Sequence, residues 1–186
     1  TPSPFEYSKR MWEGTEMCSA LVYSVVTAPN GTLVATVIHY ANEKWEKQRA
    51  PAYFLSKDQG QTWQGPRAFD ESATVQDIAY TMDTSFVHAG EIFIVFRGGG
   101  SNMTPGGPQT LWVSSDNGES FRQRSVLPFD HATYYWAAGA LDHGEIIVYT
   151  YDAHLKTEAP AAEQNIPYTI SRDSGRTWSE VRTTHF

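Results

Sequence analysis

Apolar residues in this chain come in short runs closed by Gly, Pro, Asn or Asp, and no stretch sustains a helical period. Such runs read as strands, because side chains alternate between the two faces of a sheet and the punctuating residues form turns. The runs recur in sets of four. First strands are expected over Ala20 to Thr27, Ile78 to Phe86 and Thr133 to Leu141. A Gly turn then opens second strands through Asn30 to Val37, Gly90 to Phe96 and Gly144 to Thr150. Third strands pass through Tyr53-Phe54-Leu55, Leu111-Trp112-Val113 and Tyr168-Thr169-Ile170, and fourth strands run on to Phe69, Phe129 and Phe186.

Between the third and fourth strands of each set lies the same short motif. Its copies are Ser56-Lys57-Asp58-Gln59-Gly60-Gln61-Thr62-Trp63, Ser114-Ser115-Asp116-Asn117-Gly118-Glu119-Ser120-Phe121 and Ser171-Arg172-Asp173-Ser174-Gly175-Arg176-Thr177-Trp178. The pattern is S-x-D-x-G-x-[TS]-[WF], and its near-constant spacing marks an internal repeat. Ser and Thr hydroxyls and the Asp carboxylate suit the backbone N–H groups of a turn. Gly takes the left-handed backbone conformation, and the closing aromatic ring packs on a neighbouring strand pair. Turn chemistry therefore explains Asp58, Asp116 and Asp173 better than catalysis or metal binding. The calcium-loop pattern of alternating oxygen ligands, with Glu at the twelfth position, is absent.

One four-stranded meander cannot bury both faces of its sheet. Repetition side by side buries each face against the next, and radial closure removes most edges. The expected fold is all-β, a β-propeller of three four-stranded antiparallel blades covering about 5–69, 70–129 and 130–186. Propellers close with about four to eight blades, so a three-bladed arc needs either missing blades or a second copy to complete a ring.

Composition narrows the function. A formal net charge of −7 without a basic stripe argues against nucleic acid. No apolar run is long enough to span a membrane as a helix. The one cysteine, Cys18, excludes an internal disulfide and a thiol metal cluster, and neither cofactor nor metal is expected. Asn30-Gly31-Thr32 and Asn102-Met103-Thr104 fit the glycosylation triplet, which is common by chance.

The three motifs resemble the Asp boxes of the sialidase superfamily, the bacterial neuraminidase repeat proteins. Val25-Val26-Thr27-Ala28-Pro29-Asn30-Gly31-Thr32-Leu33 also resembles the first-blade strand pair of sialidases. The resemblance implies a sialidase-like propeller acting on carbohydrate, a glycoside hydrolase or related enzyme, secreted or periplasmic, although no signal peptide is visible. It does not imply an ordinary sialidase. The family's first-blade Arg aligns within Leu21-Val22-Tyr23, and its acid/base Asp would fall in a loop, 41–50, that holds Glu43 and Glu46 but no Asp. The family's nucleophilic Tyr and its Glu partner belong to later blades. A non-catalytic propeller binding glycan or protein, or a half-propeller that assembles into a ring, remains the alternative.

The resemblance also says where a site belongs. Ligands bind at the rim made by the loops from strand four to strand one and from strand two to strand three, away from the boxes. Arg97 leads into Gly98-Gly99-Gly100-Ser101 and suits a carboxylate or phosphate, or else pairs with a neighbouring acid. His39 and Tyr151 end the other two second strands, His39 one step farther along. Tyr80, His131, Tyr134 and Trp136 are further ligand-binding candidates, the aromatics for stacking on a sugar ring or as ordinary core. Asp130, Tyr151 and Asp152 are the catalytic candidates, because glycoside hydrolysis uses carboxylate pairs.

Overall fold

The computed structural model describes residues 3–4, 20–40, 48–69, 81–97, 108–129, 135–141, 143–151 and 165–185. Three antiparallel four-stranded sheets account for nearly all of them. The first contains β1 (Ala20–Thr27), β2 (Leu33–Tyr40), β3 (Gln48–Ser56) and β4 (Gln64–Ala68). The second contains β5 (Thr81–His88), β6 (Glu91–Arg97), β7 (Thr110–Ser114) and β8 (Arg122–Val126). The third contains β9 (Tyr135–Ala140), β10 (Ile146–Tyr151), β11 (Asn165–Ser171) and β12 (Arg182–His185). Each is a meander in chain order, and β5 lies alongside both β1 and β9, so the first strands of neighbouring sheets adjoin.

The strands follow the expected sets with shifted ends. Ile78 to Tyr80 of the expected second first strand lie outside the described residues, and β4 and β8 stop before Phe69 and Phe129. These aromatics act by packing, not by pairing. The Phe69 ring meets Tyr53, Phe96 and Phe121 at centroid distances of 4.8, 4.9 and 5.0 Å. It thereby joins the first sheet to the second through an edge-on aromatic cluster.

Burial follows each sheet's place in the row. Ile92, Phe93, Ile94, Val95 and Phe96 of β6 are all buried, because both faces of the middle sheet are covered. Val34, Tyr53 and Leu55 pack on one of its faces with Ile92, Ile94 and Phe96. Ile146 and Val148 pack on the other with Phe93, Val95 and Leu111. In β10 the pattern alternates instead: Ile146 and Val148 are buried, while Tyr149 is 43% exposed. Among the described residues the third sheet packs through one face, that of Ile146 and Val148.

The boxes are closed by their own polar groups. Ser56 Oγ donates to Asp58 Oδ1 (2.8 Å) and accepts from the Gly60 N–H (2.7 Å). Asp58 also accepts from the Thr62 N–H and hydroxyl. Ser114 with Asp116, Gly118 and Ser120, and Ser171 with Asp173, Gly175 and Thr177, repeat the set. These bonds hold the carboxylates below the usual range. The Thr62 hydroxyl and N–H lead for Asp58, and those of Thr177 lead for Asp173. For Asp116, burial opposes the shift and the Ser120 and Ser114 bonds outweigh it.

The box turns also join sheets. A Cβ on Gly118 would lie 2.6 Å from Val34 Cγ2 and 3.0 Å from Leu55 Cδ2, and one on Gly175 would collide with Leu111. Gly60 meets only its own Leu33 and Trp63, both at 3.8 Å. All three glycines have φ between 81° and 89°.

Three outcomes follow from these contacts. Ser114→Ala should cost about 1–3 kcal/mol in urea unfolding, because the buried Gly118 N–H loses its acceptor. Gly118→Ala should destabilise more than Gly60→Ala: both carry the left-handed strain of about 1 kcal/mol, but only Gly118 adds a clash with the first sheet. The box carboxylates have lowered folded pKa values, so their contribution is present above the ordinary Asp range and lost as pH falls through the folded values. Urea midpoints measured from pH 6 downward should therefore fall steeply below about pH 4, less so in Asp173→Asn.

Candidate functional site

The two ends of the sheets differ in kind. At one end lie the boxes and the turns joining first to second strands. The Asn30 N–H reaches Asn117 Oδ1, and Gly144 lies beside His88, so the turns of neighbouring sheets share that end. The described ion pairs gather there too. Glu119 pairs with Lys57 and Arg67, Arg124 grips Glu91 with both terminal nitrogens, and Arg172 meets Glu145. Lys57 and then Arg67 hold the Glu119 carboxyl below its ordinary value, and Arg124 does the same for Glu91. Burial pushes the Tyr53 phenol up, only partly offset by Arg67. Every one of these acids is already committed to a neighbour, so this end is built for cohesion.

The opposite end holds the positions expected to form the site. There the second strands finish, and the chain runs on through 41–47, 98–109 and 152–164 before the third strands. Ala20 pairs with His39, Thr81 with Arg97 and Tyr135 with Tyr151, so each residue ending the line stands opposite the start of an inner strand. Arg97 and Tyr151 share one register, counted from Ile92 and Ile146, which pair with the box serines Ser114 and Ser171. In the first sheet Leu33 pairs with Ser56, so Ile38 holds that register position and His39 is one residue beyond it. Trp136, paired with Thr150, is the second residue of β9. The Thr150 hydroxyl is buried and has no hydrogen-bond partner among the described residues.

The positions of His39, Arg97, Trp136 and Tyr151 are thus fixed by strand register, while their side chains lie outside the described residues. Tyr80, Asp130, His131, Tyr134 and Asp152, with Glu43 and Glu46, lie wholly outside them. Sequence reading missed one carboxylate at this end. β5 bulges between Met82 and Thr84, which leaves Asp83 unmatched in the inner strand, and β1 bulges likewise at Tyr23. Bulges re-aim side chains and recur beside sites, but a single extra residue leaves no mark in a hydrophobic pattern. Leu21, within the stretch aligned with the sialidase Arg, pairs with Ile38. Among the described residues no three His, Cys, Asp or Glu side chains gather as a metal site, and no helix is long and apolar enough to cross a membrane.

The BNR/Asp-box repeat family matches residues 54–64, the first box and the strand leading into it. No curated protein sequence is significantly similar to the chain. Among solved structures, an α-L-arabinofuranosidase from Fusarium graminearum superposes with a TM-score of 0.65 at 16% identity, over 89% of this chain and 49% of that one. An α-L-arabinanase from Penicillium chrysogenum, complexed with arabinobiose, gives 0.63 at 18% identity, over 87% and 49%. A sialidase from Streptococcus pneumoniae gives 0.61 at 12% identity, over 91% and 40%. The chain spans about half the length of the first two.

Proposed function

We propose that this chain, which has the Asp-box propeller fold of the sialidases and arabinan-cleaving enzymes, forms half of the ring of a carbohydrate-active protein. Its site is the rim opposite the boxes. The carrying observation is the shared register of Arg97 and Tyr151, at the ends of second strands whose onward connections are long, whereas Glu91, Glu119 and Glu145 at the box end are engaged in ion pairs. In this reading Arg97 binds an acidic or hydroxyl-rich part of the glycan. Trp136 and Tyr134 stack on a sugar face, with His39, Tyr80 and His131 as further contacts. Asp130, Asp152 and Tyr151 supply acid, base or nucleophile, and Asp83 joins them as a carboxylate on the inner strand.

Sialic acid is not the favoured substrate, since Leu21, Val22 and Tyr23 stand where sialidases carry the first arginine of their carboxylate clamp. A neutral glycoside, such as a pentose or hexose polymer, suits the rim better. The same substitution supports a second reading, a propeller that binds glycan without cleaving it.

Calorimetric titration of neutral and acidic oligosaccharides, with turnover measured on the same set, separates these readings. Arg97→Ala should weaken binding by about tenfold or more, as expected for a charge-assisted hydrogen bond. Asp152→Asn should abolish turnover while leaving affinity within about threefold. Binding without turnover in the closed ring would favour the second reading, and neither binding nor turnover would reject both.

A further inference from the structure

We propose that Asn30 is a site of self-modification, at which the backbone nitrogen of Gly31 attacks the Asn30 side-chain amide and the residue becomes aspartate or isoaspartate. The inference is independent of what the ring binds. The chain holds two Asn-Gly pairs, Asn30-Gly31 and Asn117-Gly118. They meet across the first seam, between the first and second sheets, where the Asn30 N–H donates to Asn117 Oδ1 at 3.4 Å. A glycine after asparagine favours such an attack, because it has no side chain to crowd the approach to its nitrogen. On residue type alone the two pairs are equal, and the fold separates them.

Asn30 is held ready. It lies with Gly31 in the exposed turn from β1 to β2. The Thr32 N–H donates to Asn30 Oδ1 at 3.0 Å, which closes an Asx turn and folds the side-chain carbonyl back towards its own main chain. The same bond assists the reaction. Negative charge develops on Oδ1 as the Gly31 nitrogen adds to Cγ, and an N–H already aimed at that oxygen stabilises it. A Cβ on Gly31 would meet nothing within 4 Å, so there is space for a five-membered ring. The Gly31 N–H has to release only the Ala28 carbonyl, its acceptor at 2.9 Å in the same turn.

Water is the only further reactant. Hydroxide takes the proton of the Gly31 N–H, the nitrogen bonds to Asn30 Cγ, and Nδ2 leaves as ammonia with a proton from water. The cyclic imide then adds one water. Opening at the side-chain carbonyl leaves aspartate at position 30, and opening at the main-chain carbonyl leaves isoaspartate, whose main chain runs through the side chain. That product adds one carbon to a turn closed by the Ala28 N–H on the Thr32 carbonyl at 2.7 Å, and so loosens the turn beside the first seam.

Asn117 is held back. Gly118 is buried, and its N–H donates to Ser114 Oγ at 2.8 Å. Val34 Cγ2 and Leu55 Cδ2 fill the space beside it, 2.6 and 3.0 Å from where a Cβ would lie. Asn117 Oδ1 accepts from the neighbouring sheet's Asn30, and the Glu119 N–H, the counterpart of the Thr32 N–H, donates to the Asp116 carbonyl instead. The attacking nitrogen is tied and a ring has no room.

The test incubates the 186-residue chain in mildly alkaline buffer, folded and in urea, and follows the amide-to-acid mass change at each asparagine by peptide mapping. Isoaspartate is scored separately by enzymatic methylation with labelled S-adenosylmethionine. Asn30 should convert in the folded chain at least as fast as in urea. Asn117 should convert at least about tenfold more slowly folded than in urea, because its conversion waits for the seam to open. Ser114→Ala frees the Gly118 N–H and should speed Asn117 by about threefold or more, with Asn30 unchanged. Gly31→Ala should slow Asn30 by about tenfold or more, since a Cβ displaces the attacking nitrogen. The proposal is overturned if folding slows Asn30 by about tenfold, or if Asn117 converts as fast as Asn30 in the folded chain. It is also overturned if Ser114→Ala speeds both asparagines alike, because general opening rather than the held geometry would then set the rate.

Discussion

The structure depends on a serine hydroxyl that works in two directions. In each box it donates to the Asp two residues on and accepts from the N–H of the Gly four residues on. Those bonds satisfy the Gly N–H and the Asp carboxylate from within the turn, and leave box carbonyls to donors of the preceding sheet. Because the turn is self-sufficient, its outer edge is free to be a contact. The glycine presents bare backbone, and the preceding sheet approaches it with Val34 and Leu55 at the first seam and Leu111 at the second. Polar satisfaction inside the hairpin and apolar packing outside it are one device.

That device also sets the order of the sheets. At each seam apolar burial supplies the non-directional part of the attraction, and donors to box carbonyls fix the register. At the second seam Trp178 Nε1 donates to Ser125 Oγ, which in turn donates to the Gly175 carbonyl, so hydroxyl and indole form a short relay. Arg124 adds a bond to the Ser174 carbonyl while held by Glu91 and lying 5.6 Å from the Phe93 ring centroid. Cohesion is concentrated at the box end, and the opposite end is left to longer connections. The loops of that rim can therefore change without touching the seams.

The sequence by itself determined the repeat and therefore the sheets. Three copies of one turn motif, each preceded by an apolar run, require three hairpins in equivalent places, since turn chemistry is local and reads directly from residue type. It also marked the rim: Arg97 and Tyr151 end their strands in one register, with His39 one step beyond, as counting along the strands implied. Tertiary structure alone decided the rest. The bulge that leaves Asp83 unmatched depends on how β5 and β6 align across the sheet, which no pattern along one strand encodes. Whether Tyr53, Leu111 or Tyr168 is core or seam depends on the neighbouring sheet, because the same strand position meets the next box in two sheets, Tyr53 at the Glu119 carbonyl and Leu111 against Gly175, and an open groove in the third. A strand's residues fix which side chains share a face; only packing decides what that face meets.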